Sequence, residues 1–125
     1  MSLEQAVAAP YCGMLLADAG ARVIKVERPE GDFARGYDKG AEGQSVIFAW
    51  LNRGKEALCL NLKEAKDFAV LQEMIAQADI LLSNLAPCAM ERLGLNGAAL
   101  RQKNPGLITC RITGYGESGR FRHTR

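Results

Sequence analysis

The residues of this 125-residue sequence that could do chemistry are mostly basic, and they recur at one kind of place. Arg28 follows the apolar run around Val23, Ile24 and Val26. Lys63 follows Ala57 to Leu62, and Arg92 lies just beyond Ile80-Leu81-Leu82 and Asn84-Leu85. Arginine grips phosphate with two N–H groups, and lysine supplies a compact charge. Any one of them is more simply a charge that opens or faces a solvated helix; three after successive strand-like runs point to a ligand carrying several phosphates. Catalytic groups are scarce. His123 sits in a basic tail and reads as a surface residue, Asp18 and Glu27 read as helix-surface and strand-end charges, and no Ser-His-Asp order or thiol–imidazole pair stands out. Gly114-Tyr115-Gly116-Glu117-Ser118-Gly119 matches the dinucleotide pattern G-x-G-x-x-G, but no amphipathic helix follows it. A glycine loop that lets the backbone approach some other ligand is the reading it supports.

These residues need a scaffold with parallel strands. Pro10 to Gly20 reads as a helix ending at a left-handed glycine, and Val23, Ile24 and Val26 as a strand buried on both faces. Charged side chains then emerge at its carboxyl end, where open α/β sheets bind ligands. Pro29 to Gly43, rich in glycine and charge, is an expected functional loop. Ser45 to Trp50 is a short apolar segment, Leu51 to Glu56 a polar turn and Ala57 to Leu62 a second strand. The spacing of Phe68, Leu71, Ile75 and Ala78 predicts an amphipathic helix over 63–78. Ile80 to Leu82 forms a third strand, Met90 to Leu93 and Gly97 to Lys103 two short helical pieces, and Leu107 to Ile112 a fourth strand after the turn Asn104-Pro105-Gly106. The alternation predicts a Rossmann-like α/β fold: an open parallel sheet flanked by helices, with right-handed crossovers. Ser2-Leu3-Glu4 reads as the end of one more strand whose earlier part is missing, an arrangement expected to leave a neighbouring strand unpaired.

Composition bounds the partners. With 48% hydrophobic and 24% charged residues the chain suits one globular domain. Its formal charge is +2, yet three of its 16 basic residues lie in the last six positions. No basic stripe remains, so nucleic acid is not expected as a partner. Cys12, Cys59, Cys88 and Cys110 are scattered and there is one histidine, which argues against a metal site. Cys59 and Cys110 are expected as buried free thiols, a usage suited to a reducing compartment. No apolar run is long enough to span a bilayer and no signal peptide is visible, so no membrane association and a cytoplasmic location are expected.

Taken together, Gln5–Cys12, Leu16–Pro29, Gly31–Gly36, Leu51–Glu56, Asn104–Ile108 and Thr113–Gly116 resemble the class III coenzyme A-transferases, the CaiB/BaiF family. The resemblance implies an enzyme about three times this length, an interlocked homodimer moving CoA between an acyl-CoA and a carboxylic acid through an aspartyl-CoA thioester. It implies CoA contacts at Val7, Ala8, Arg28, Leu60, Asn61, Leu62, Lys63, Asn84, Leu85, Ala86 and Arg92, with Gly114 and Tyr115 at the thioester end, and no metal. Residues 1–119 would form the N-terminal part of the large Rossmann-like domain and 120–125 a basic tail outside the family pattern. The family's aspartate nucleophile has no counterpart here, so no catalytic residue is expected and the chain alone should not turn over. An α-methylacyl-CoA racemase of the same superfamily, or a non-catalytic piece docking on a full-length homologue, are the alternative expectations.

Overall fold

The computed structural model describes residues 1–121; His123 and most of the basic tail lie outside them. Five strands, β1 (Ser2–Leu3), β2 (Ile24–Glu27), β3 (Glu56–Cys59), β4 (Ile80–Ser83) and β5 (Ile108–Arg111), form one parallel sheet in the order β3-β2-β1-β4-β5. Successive strands step outward from β1 to β3, and the order reverses between β1 and β4. That reversal is the switch point, outside whose carboxyl ends open α/β sheets place their ligands.

Helix α1 (Ala8–Asp18) ends as its sequence predicts. Gly20 takes φ +94°, the Ala21 amide bonds to Leu16 O at 3.0 Å and the Gly20 amide to Ala17 O at 2.9 Å. This is a Schellman closure, in which the left-handed residue carries no Cβ penalty. Helix α3 (Ala65–Ala76) buries Leu71 and Ile75 with Phe68 packed beside them, so the 3.6-residue period lands where expected.

The two faces of the sheet differ. Leu3 and Val26 pack with Leu81, Leu60, Leu71, Ile75, Met90, Leu95 and Leu107 into the apolar core under α3, α4 (Pro87–Arg92) and α5 (Gly97–Lys103). Paired residues of neighbouring parallel strands share a face, so Ser2, Lys25 and Leu82 lie on the opposite one, under α1. There Ser2, Glu4 and Lys25 are all buried.

Four expectations change. Val46–Asn52 is a helix, α2, and not an undifferentiated segment followed by a long turn. The Ser45 hydroxyl caps it by accepting from the Phe48 amide at 3.1 Å. The 29–43 loop contains a 3₁₀ turn at Phe33–Gly36 and an antiparallel bridge between Ala41 and Gln44. Cys59 is exposed and Cys110 half-buried, because β3 and β5 are the sheet's edge strands. Finally, β1 leaves neither neighbour wholly unpaired: Ser2 pairs with both Lys25 and Leu82, and Leu3 with Ser83. In line with β1, at the amino ends of β2 and β4, lies a cavity of about 560 Å³ bounded by Met1, Ile24 and Ile80.

Candidate functional site: a basic groove at the strand ends

A groove of about 640 Å³ opens along the carboxyl ends of β3, β2, β1 and β4. That volume lies within the range of small-molecule sites. Arg28, Lys63 and Arg92 all line it, although they come from three separate crossovers. Leu60, Asn61, Leu62 and Leu85 line it too, with Leu3, Val26, Ala89 and Leu93 supplying apolar wall. Of the other positions named from the sequence, Val7 and Ala8 are exposed at the start of α1, beside the lining residue Gln5. Asn84 and Ala86 are half-buried beyond β4, whereas Gly114 and Tyr115 are exposed after β5; none of these six is part of the groove wall.

Local chemistry explains why the basic groups stand there. The corner after β3 is a tight turn: the Glu64 amide bonds to Asn61 O at 2.8 Å, the Lys63 amide to Asn61 Oδ1 at 3.2 Å and the Asn61 amide to Asp67 Oδ2 at 2.8 Å. Lys63 is therefore held at the groove edge by its backbone while its ammonium stays in solvent. After β2, Arg28 lies with its guanidinium carbon 4.2 Å from the centre of the Phe33 ring and donates from Nε to Gly31 O at 2.9 Å. Asn84 turns inward, accepting from the Gln5 amide at 2.9 Å and donating to Gln5 O at 2.8 Å. It ties β1 to β4 across the switch point.

The acidic residues of the groove wall are largely neutralised. Glu4 pairs with Lys55 at 2.5 Å, Asp32 with Lys25 at 2.5 Å and Glu27 with Arg35 at 3.0 Å. The first two pairs belong to a buried network beneath the wall that the sequence does not reveal. The Asn52 carbonyl accepts from both Lys25 (3.0 Å) and Lys55 (3.2 Å), and Lys55 completes its three donations on Pro10 O at 2.9 Å. Gly13 faces the same pair: a Cβ there would stand 2.9 Å from Glu4 Oε2 and 3.1 Å from Lys55 Nζ. A glycine inside α1 is thus required by close approach of buried charge. Burial lowers the Lys55 pKa, with Glu4 opposing the shift. Burial pushes the Asp32 carboxyl the other way, but the Lys25 hydrogen bond and the Ala34 and Ala6 amides outweigh it, and its pKa falls below the usual value.

Asp38 pins the rest of the loop. Its carboxylate accepts from the Gly40 amide (2.9 Å), the Val46 amide (2.9 Å) and the Ser45 hydroxyl (2.8 Å), which together hold its pKa at about 2. A depressed carboxyl pKa stabilises the fold above the unfolded value of 3.8 and ceases to do so as pH falls through about 2. We expect Asp38→Ala to lower stability at neutral pH and the gap to the unmodified chain to close between those two values; acid unfolding followed by circular dichroism checks it.

An open doubly wound sheet with a basic groove at its switch point defines an α/β protein suited to a phosphate-bearing ligand. The model of CoA-transferase family III matches residues 1–125, and the chain belongs to that family. It is 40% identical to acetyl-CoA:oxalate CoA-transferase of Acetobacter aceti, over 98% of this chain and 32% of that protein. It is 42% identical to cinnamoyl-CoA:phenyllactate CoA-transferase of Clostridium sporogenes, over 95% and 30%. Among solved structures, a CaiB/BaiF family protein from Brucella suis superposes with a TM-score of 0.91 at 32% identity, covering 98% of this chain and 34% of that one. The chain therefore spans about a third of the length of these relatives. No described helix is long and apolar enough to cross a membrane, and the described residues contain no group of three potential metal ligands.

Proposed function

We infer that this chain carries part of the coenzyme A site of a class III CoA-transferase, and that the groove takes the phosphate-bearing end of an acyl-CoA. What supports the reading is one observation: Arg28, Lys63 and Arg92, from three crossovers, line a single groove at the switch point of the sheet. Arg28 uses Nε on Gly31 O and its plane on Phe33, so its two Nη groups are the ones offered to a phosphate or an adenine edge. Lys63 and Arg92 add two exposed cations to the same groove, and Leu60 and Leu62 supply apolar surface for a ring.

The whole protein, on this reading, moves CoA from an acyl-CoA to a second carboxylic acid through a thioester on an aspartate, as a cytoplasmic homodimer. The aspartate carboxylate attacks the acyl carbon, giving an acyl–aspartyl anhydride and CoA thiolate. The thiolate attacks the aspartyl carbonyl, expelling the donor acid as carboxylate and leaving aspartyl-CoA. The acceptor carboxylate then runs the same two steps in reverse, giving the new acyl-CoA and the free aspartate. That aspartate is not assigned to any residue of this chain. The contribution made here is to bind and orient the carrier; Val7, Ala8, Asn84, Ala86, Gly114 and Tyr115 are proposed to reach it along its length.

Isothermal titration with CoA tests the reading. The folded chain should bind, and Lys63→Ala combined with Arg92→Ala should weaken binding by at least about tenfold, the loss expected when two charge-assisted phosphate contacts go. A folded sample that takes up no CoA, with Arg28→Ala equally silent, would contradict it.

A further inference from the structure

Asp32 lines the groove, yet its side chain is 1% exposed and both of its oxygens are engaged within the protein. Oδ2 meets the buried Lys25 ammonium at 2.5 Å. Oδ1 accepts from the Ala34 amide at 3.0 Å and from the Ala6 amide at 2.8 Å. The last of these is unusual in what it holds. Ala6 has φ +62°, the left-handed region that a residue with a Cβ adopts only when its surroundings impose it.

Ala6 stands in the turn between β1 and α1, at the switch point itself. One residue earlier, Gln5 is clamped from the β4 side by the two Asn84 bonds. The turn is thus tied to β4 through Gln5 and to the 28–36 loop through Ala6. Val7, the next residue, caps α1 with no side-chain bond, so the aim of the helix's first amides is set by the turn. A carboxylate fixed by a buried ammonium is a rigid acceptor for such a task, because it cannot rotate away to solvent.

We propose that Asp32 is a positioning residue, which acts through the Ala6 amide to hold the Gln5–Val7 turn in its left-handed form and so places Gln5 in the groove wall. The proposal rests on the groove being the CoA site. Lys25 serves as the counter-ion that makes a buried carboxylate tolerable, and its removal alone would leave that charge uncompensated.

Two paired substitutions separate positioning from stability. Lys25→Met with Asp32→Asn removes both charges but keeps an amide oxygen for Ala6; Lys25→Met with Asp32→Leu removes both charges and the acceptor. The first pair should bind CoA within about threefold of the unmodified chain, and the second should weaken binding by at least about tenfold at a similar urea midpoint. Adding Ala6→Gly to the second pair should recover part of the lost affinity, since glycine takes the left-handed turn unaided; a purely structural defect would not respond. Equal affinity of the two pairs, or no recovery with glycine, overturns the proposal. If the paired variants do not fold, amide exchange in the unmodified chain decides: a protected Ala6 amide is expected and a freely exchanging one overturns the idea. The exchange measurement needs no CoA, so a chain that binds none would defeat the proposed function while leaving the turn to be judged separately.

Discussion

Lys55→Met should remove about 3–5 kcal/mol of stability, the cost of leaving one member of a buried ion pair without the other. The Lys55 side chain is 2% exposed and that of Glu4 0%, and Lys55 Nζ meets Glu4 Oε1 at 2.5 Å. Among the described residues Glu4 Oε2 already has no hydrogen-bond partner. Once the ammonium is gone, the nearest cation to Glu4 is Lys25 at 3.8 Å, which is itself committed to Asp32. Pro10 O and Asn52 Oδ1 lose a donor in the same stroke. Adding Glu4→Gln should return a large part of the loss, because the orphaned charge disappears with its partner. Urea unfolding of the single and double variants measures both steps. A single variant within about 1 kcal/mol of the unmodified chain, the worth of a surface pair, would show that the cluster is hydrated and not buried.

Leu71→Ala should cost about 2–5 kcal/mol, the range for a buried leucine whose surroundings collapse only partly. Leu71 is 0% exposed at the centre of α3 and belongs to the core cluster that includes Leu60, Val26 and Leu81. The same truncation at Val70, one residue away and 42% exposed, should change stability by no more than about 0.5 kcal/mol. Equal costs at the two positions would mean that α3 docks through a different face. Leu60 belongs to the same cluster and also lines the groove, so core and candidate site share a side chain.

What was legible in the sequence follows physical range. Gly20 announces the end of α1, and the spacing of Phe68, Leu71 and Ile75 announces α3, because both signals act within a few residues. The strand-end position of Arg28 and Lys63 was legible too, since Arg28 follows β2 directly and Lys63 lies in the corner after β3, and Arg92 closes the short helix α4 that follows β4. Helix α2 was not: seven residues hold too few turns to show a period, and of its caps Ser45 reads as the start of an apolar segment while Asp38 lies in what reads as loop. Nor was the exposure of Cys59, which depends on β3 falling at an edge, a matter of strand order. The buried charges were the largest omission. Lys25 sits in a β-branched run, but its partner Asp32 lies seven residues on, and Lys55 is 51 residues from Glu4. No spacing rule joins such pairs. One signal was available in retrospect: Asn52-Arg53-Gly54-Lys55 places a lysine after a left-handed glycine, and Gly13, in the middle of α1, is the residue that faces it.

The most direct measurement is a backbone amide spectrum of the folded, isotopically labelled chain recorded during titration with CoA. Amide resonances of Arg28, Glu30, Gly31, Leu60 to Lys63 and Arg92 should shift together and saturate at one common concentration. Shifts confined to the Met1, Ile24 and Ile80 end of the sheet, or none at all, would contradict a carrier site at the carboxyl rim.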